Sequence, residues 1–194
     1  MSKKTSPKVI LIHGFGGKPN GGWRPWLMGE LGKHLDVFAV SLAMPNPDTP
    51  KKKDWVHVIQ KEVASPDMGT VLVGHSLGVP AILRYLETLP KGKKILGAVL
   101  VSGPVHSPEG KEYSVIKNFF TGGFDFKKIR SSCANFVIIH GDNDAVVSMS
   151  EAYELSGELN APIHAIKNGG HLNGSSGWYE LPQAFAEIKK MFKH

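Results

Sequence analysis

The residues Gly74-His75-Ser76-Leu77-Gly78 carry the sharpest chemical signal in the sequence. They follow the apolar run Thr70-Val71-Leu72-Val73 and precede a helical pattern, so the serine falls on a strand-to-helix turn. Such a turn holds the serine backbone under strain and projects its hydroxyl from the carboxyl edge of a sheet, where it can act as a nucleophile. Gly74 and Gly78 answer a steric demand, because strand and helix pass too closely there for side chains. The helix N-terminus adds positive potential, and the Leu77 N–H points to where an oxyanion would form. An ordinary glycine-rich turn would match the same five residues; the strand before and the helix after separate the two.

A serine hydroxyl is a weak nucleophile near neutral pH and needs a base, typically a histidine whose other ring nitrogen is held by a carboxylate. With this kind of turn, the chain order is serine, acid, histidine, each on a loop at the carboxyl end of a strand. Two downstream loops supply those types in that order: Gly141-Asp142-Asn143-Asp144 after Phe136–His140, and Lys167-Asn168-Gly169-Gly170-His171 after a strand ending at Ile166. Asp144 is the expected acid and His171 the expected base. Asp142 stands as the alternative acid, although an aspartate there more readily shapes the turn. Among the other histidines, His164 lies within the alternation of a strand, and His13 and His140 end strands before glycines and should bond neighbouring loops. His106 is a candidate substrate contact. No histidine pair has metal-ligand spacing such as HExxH, so neither a metal nor another cofactor is expected. A histidine base predicts activity that rises through pH ~6–7 as the imidazole loses its proton.

The loop His13-Gly14-Phe15-Gly16-Gly17-Lys18 invites a phosphate-binding assignment that fails on inspection. The dinucleotide pattern GxGxxG needs glycine where Pro19 stands, and the Walker pattern needs glycine at Ile12 and Ser or Thr at Pro19. In a serine hydrolase this first loop instead donates the second oxyanion N–H, here from Phe15. Trp23 and Trp26 follow it, and each suits a pocket wall or the core.

These loops need a scaffold, and the apolar patterning supplies one. Lys8–His13, Val37–Val40, Thr70–Gly74, Ile95–Val101 and Phe136–His140 are apolar throughout, as strands covered on both faces should be, with Pro162–Ile166 a weaker sixth. Helical patterns lie between them: Pro25–His34, a segment opened by Thr49-Pro50 and running to Val63, Ser76–Leu89, Ser148–Leu159 and Glu180–Phe192. Ser148 and Glu151 stand at capping-box spacing. The alternation predicts an α/β fold, a three-layer α/β/α sandwich around a mostly parallel sheet of about six strands, as a single domain over 1–194. The segment Gly103–Arg130 breaks the alternation. Its aromatics argue against disorder, so it reads as a short lid, with Phe119 and Phe120 as candidate pocket residues beside Trp23 and His106. A lid this small predicts a shallow, partly open pocket.

Composition removes other classes. A chain of 194 residues can bury roughly 70% of its unfolded surface without staples. With 41% hydrophobic and 21% charged residues it is neither disordered nor a coiled coil. The lone Cys133 precludes an internal disulfide. MSKKTSP is basic, but no apolar run follows it to make a signal peptide, and nothing approaches the ~20 apolar residues of a membrane span. A cytoplasmic protein is expected. The net charge of +6 comes from scattered lysines with three arginines, which suits weak steering of anionic substrates more than nucleic-acid binding.

With serine, acid and histidine in place, the chain resembles the α/β-hydrolase superfamily. More narrowly it resembles the compact serine hydrolases of the retinoblastoma-binding protein 9 and YdeN type. The resemblance runs through the opening strand and glycine loop to Gly22-Trp23, Met44-Pro45-Asn46-Pro47-Asp48 before Trp55, Gly74-His75-Ser76, Phe119-Phe120 to Ile129, Gly141 to Asp144 and Gly169-Gly170-His171. It departs at His13-Gly14, where some relatives carry another residue before the glycine. It implies a nucleophile, acid and base at Ser76, Asp144 and His171, and a small-molecule ester or amide as substrate. A fold alone never establishes activity, so a protein-binding module with little turnover is the rival expectation.

Overall fold

In the computed structural model, residues 7–193 are described. The basic segment MSKKTSP, expected not to open a signal peptide, lies outside them apart from Pro7. Six strands, β1 (Lys8–Ile12), β2 (Phe38–Ser41), β3 (Thr70–His75), β4 (Ile95–Val101), β5 (Cys133–Gly141) and β6 (Ile163–Ile166), form one sheet in the order β2-β1-β3-β4-β5-β6. Every neighbouring pair is parallel.

Strand composition follows position in the sheet. All of β3 and β4 is buried, as their unbroken apolar runs require, whereas the edge strands β2 and β6 are half-exposed. Alternate residues of each strand feed opposite cores. Ile10, Ile12, Leu72, Ala98, Leu100 and Ile138 pack on one face, beneath α2 (Lys52–Val63), α3 (Gly78–Glu87), α4 (Phe126–Ser132) and α5 (Met149–Leu159). Val9, Leu11, Val71, Val73, Val99, Val101 and Ile139 pack on the other, beneath α1 (Arg24–His34) and α6 (Pro182–Lys193). The result is the expected three layers. Cys133 begins β5 as a buried residue, and burial pushes its thiol up to about 12. Among the described residues, no helix is long and apolar enough to cross a membrane.

Three local expectations change. The second helix starts at Lys52, because Asn46–Thr49 closes a turn of its own (Thr49 N–H to Asn46 O, 3.0 Å). The capping box at Ser148 does not form: the Ser148 hydroxyl pairs with Ser150, and the Glu151 carboxylate accepts the N–H groups of Val105 and His106 at 2.6 and 3.0 Å. The segment 103–130 is a bolt on the helical layer more than a lid. It holds a 3₁₀ turn (Ser114–Phe119) and α4. Arg84 of α3 donates to the carbonyls of Phe119 and Thr121 at 2.7 and 3.0 Å and lies 4.2 Å from the Phe124 ring centroid. Asn118 ties the same segment to Lys52 N–H and to the Pro50 carbonyl.

The connections out of β1 run both ways: β1 lies between β2 and β3, and the chain then steps steadily from β3 to β6. Such a switch point leaves a crevice outside the carboxyl ends of the flanking strands, between the loops that follow β1 and β3.

Candidate active site

The turn after β3 is shaped by contact limits. A side chain at Gly78 would put its Cβ 2.4 Å from the Ile12 carbonyl oxygen, and one at Gly74 would come 2.8 Å from the Gly78 backbone. Between them Ser76 has φ of +53°, a left-handed conformation that a non-glycine residue holds only where its surroundings enforce it. Its N–H is fixed to the Val101 carbonyl at 2.9 Å. Gly14 lies against the serine, since a Cβ there would stand 2.8 Å from that of Ser76.

The loop that carries Gly14 is anchored by His13. The His13 Nδ1–H donates to the Gly14 carbonyl at 2.8 Å, which leaves Nε2 to accept the Met44 N–H at 3.2 Å. Burial is the main reason that this imidazole stays neutral: it lowers the pKa, aided by the Arg24 charge and opposed by the Gly14 bond. Gly16 N–H reaches the Pro47 carbonyl at 2.9 Å, so the Met44–Asp48 segment braces the glycine loop. The N–H groups of Phe15 and Leu77 have no hydrogen-bond partner among the described residues, as oxyanion donors require.

The acid and histidine loops are stitched to one another. A Cβ at Gly141 would fall 2.1 Å from the Gly170 carbonyl oxygen, so the two backbones touch. Asp142 Oδ1 accepts the Asn168 N–H at 2.8 Å and Asn143 Oδ1 accepts the Gly170 N–H at 2.7 Å. Asp142 therefore shapes the loops. Asp144 instead meets the imidazole: His171 Nδ1–H donates to its Oδ2 at 2.8 Å, while Oδ1 accepts the N–H groups of Val146 and Val147 at 2.8 and 3.0 Å. Burial opposes ionisation of Asp144, but the His171 hydrogen bond and charge and the two backbone donors outweigh it and hold the carboxyl below its ordinary range. His140 flanks the pair, donating from Nε2 to the Val147 carbonyl at 2.9 Å, 3.6 Å from Asp144 Oδ2.

Two further side chains hold the histidine loop. His75 Nε2–H donates to the His171 carbonyl at 2.9 Å, and Trp23 Nε1–H donates to the Leu172 carbonyl at 2.8 Å. The His75 ring lies between them, 5.0 Å from the His171 centroid and edge-on to Trp23 at 6.2 Å. Burial, with the nearby His171 charge, pulls the His75 pKa down to about 3, so it is neutral at any working pH. The sequence does not single out His75; its place beside Ser76 in the strand-to-helix turn is the available signal.

Ser76, His75, His171 and Phe15 line one cleft of about 350 Å³, completed by Gly14, residues 16–18, residues 20–24 and residues 173–175. That is the small end of the range for ligand sites. Trp23 contributes a buried wall. The other pocket candidates lie elsewhere: none of residues 103–130 lines the cleft. Phe119 is fully buried against Trp55, with centroids 5.6 Å apart, and Phe120 packs on Phe124. The His106 side chain is 64% exposed and bonds Glu154 at 3.0 Å. Each has found a nearer partner on the layer of α2, α3, α4 and α5. A larger groove of about 810 Å³ runs along the outer faces of α2 and α3, remote from Ser76. Among the described residues, no group of three or more histidine, cysteine or carboxylate side chains is placed to hold a metal ion.

Known proteins share this fold. The chain is 32% identical over 188 residues to YdeN of Bacillus subtilis, covering 95% of this chain and 96% of that one. The crystal structure of the ydeN gene product superposes with a TM-score of 0.91 over 97% of this chain and 100% of that one. Serine hydrolase RBBP9 of Rattus norvegicus is 24% identical over 181 residues, covering 93% and 94% of the two chains. The α/β hydrolase GrgF from a Penicillium species shares the fold at 10% identity, with a TM-score of 0.71 over 98% and 90% of the two chains. The serine hydrolase family model matches residues 9–190, and the chain belongs to that family.

Proposed function

We propose that the protein hydrolyses carboxylic esters, and amides by the same chemistry, through an acyl-enzyme on Ser76. The observation that carries this is the 2.8 Å bond from His171 Nδ1 to Asp144, with that histidine and the strained serine lining one cleft. Asp144 holds the proton on Nδ1, so Nε2 is the free base.

Ser76 Oγ attacks the substrate carbonyl carbon as His171 Nε2 takes its proton. The carbonyl π pair moves to oxygen, and the oxyanion is met by the N–H groups of Leu77 and Phe15. When the intermediate collapses, the leaving alkoxide or amine takes the proton from His171, and the acyl group stays on Ser76. Water then repeats the attack, with His171 again as base, and the returning proton restores the serine hydroxyl. Removing one oxyanion donor from such a site costs about 10²–10³ in rate. The positive end of α3, which has no acidic residue in its first turn, adds to the same stabilisation.

A phosphonate probe tests the proposal directly. The protein should be labelled at Ser76 between pH 6 and 9, and Ser76→Ala should neither label nor turn over 4-nitrophenyl esters, with kcat lower by about 10⁶. Unchanged turnover in Ser76→Ala would refute it, and absence of labelling in the parent protein would favour a binding module on a hydrolase fold.

A further inference from the structure

The cleft beside Ser76 has an unusual charge balance. Lys18 and Arg24 line it, and none of the residues lining it is acidic. Arg24 is the first residue of α1 and only 6% exposed. Arginine this deep normally meets a carboxylate, because an unpaired buried charge is costly. Here the guanidinium has no carboxylate within ion-pair distance among the described residues. It donates from Nη2 to the Lys18 carbonyl at 2.8 Å and from Nε to the Pro19 carbonyl at 3.3 Å. Nη1 has no hydrogen-bond partner among the described residues. Burial pulls the pKa down to about 10, which leaves the group cationic at neutral pH. The first turn of α1 contains no acidic residue, so the helix end adds positive potential beside it.

The carbonyl bonds tie Arg24 to the loop at Lys18 and Pro19, but a neutral donor would serve that purpose. Neither they nor the Trp23 ring, whose centroid lies 5.8 Å from the guanidinium carbon, supplies a counter-charge for a fixed positive charge inside the cleft wall. We propose that the natural substrate is an ester or amide that also carries a free carboxylate, recognised by Arg24 with Lys18 at the more exposed side. The inference rests on the hydrolase assignment above and names the substrate class for the same site.

Matched ester pairs test it. On the acyl side, mono-4-nitrophenyl glutarate is compared with 4-nitrophenyl pentanoate; on the leaving-group side, 4-acetoxybenzoate is compared with its methyl ester. The expected result is a kcat/KM preference for the anionic member of at least one pair of about ten-fold or more, the size of one charge-assisted hydrogen bond. The preference should fall by about ten-fold in Arg24→Gln and recover in part in Arg24→Lys. Equal rates within both pairs, or a preference that survives Arg24→Gln, would overturn the proposal. A second measurement needs neither turnover nor a variant: free glutarate should protect Ser76 of the parent protein from phosphonate labelling, and glutaramide should not. Equal protection by the two, or by neither, also overturns it. Labelling or hydrolysis of the neutral ester without any anionic preference leaves the hydrolase assignment standing, so the two failures are distinct.

Discussion

Asp144→Asn tests the site at one atom, because the structure dictates which way the new amide must lie. Asp144 Oδ1 accepts two backbone N–H groups, from Val146 and Val147, at 2.8 and 3.0 Å. An amide nitrogen there would face two donors, so the amide oxygen must occupy that side. The nitrogen is then turned toward His171 Nδ1, where the carboxylate now accepts at 2.8 Å. To satisfy that N–H, Nδ1 must become the acceptor, and the ring proton moves to Nε2. A histidine protonated at Nε2 cannot take the Ser76 proton, whereas the fold still has every backbone bond of the loop. The wrong tautomer in a triad of this kind lowers kcat by about 10⁴, or ~5 kcal/mol of barrier. Exchanging a charged acceptor for a neutral one weakens three hydrogen bonds, so a stability loss of about 1–3 kcal/mol accompanies it. The assay is burst-phase hydrolysis of 4-nitrophenyl acetate beside the rate of phosphonate labelling, since both need a deprotonated Nε2. The two rates should fall together while the urea transition stays cooperative. A kcat within ten-fold of the parent, with the fold intact, would refute the assignment of Asp144 as the orienting acid.

Other predictions follow from the same geometry. His75 is neutral when folded, with its pKa pulled down to about 3 by burial, but an unfolded histidine titrates near 6.5. Between those values the unfolded chain binds the extra proton, so His75 makes the fold less stable as pH falls, by about 2 kcal/mol between pH 7 and pH 5. His75→Gln should remove that part of the acid sensitivity in urea midpoints, and an identical slope in both proteins would count against a buried neutral His75. Gly141→Ala places a Cβ 2.1 Å from the Gly170 carbonyl oxygen and must part the acid and histidine loops, with a stability loss of about 1–3 kcal/mol and a larger loss of labelling rate. The control is Gly157→Ala, within α5, where nothing lies within 4 Å of the added Cβ; it should gain about 0.5–1 kcal/mol with labelling unchanged. If Gly141→Ala labels at the parent rate, close contact of the two loops does not position His171.

What could be read from the residues, and what could not, divides along a physical line. Ser76, Asp144 and His171 stand out because the roles proposed for them demand particular side chains, and a parallel sheet delivers its loops to one edge in chain order. The strands stand out because burial on both faces demands unbroken apolar runs, and β3 and β4 obey. Phe119, Phe120 and His106 misled because an aromatic or imidazole ring in a loop is satisfied by any suitable neighbour, and Trp55, Phe124 and Glu154 were nearer than the cleft. Glu151 misled in the same way, since the backbone at Val105 and His106 offered its carboxylate two donors in place of the helix end. The residues that tune the site are hidden for a different reason. His75 and Trp23 act on the carbonyls of His171 and Leu172, and Trp23 reaches across 149 positions of chain to do so. Arg24 likewise bonds carbonyls. A carbonyl oxygen is the same in every residue, so no residue type or spacing at the accepting end encodes such a bond. The proposed catalytic side chains can therefore be legible while the bonds that aim them are not, and variants at His75 or Trp23 should disturb the placement of His171 without altering Ser76, Asp144 or His171 itself.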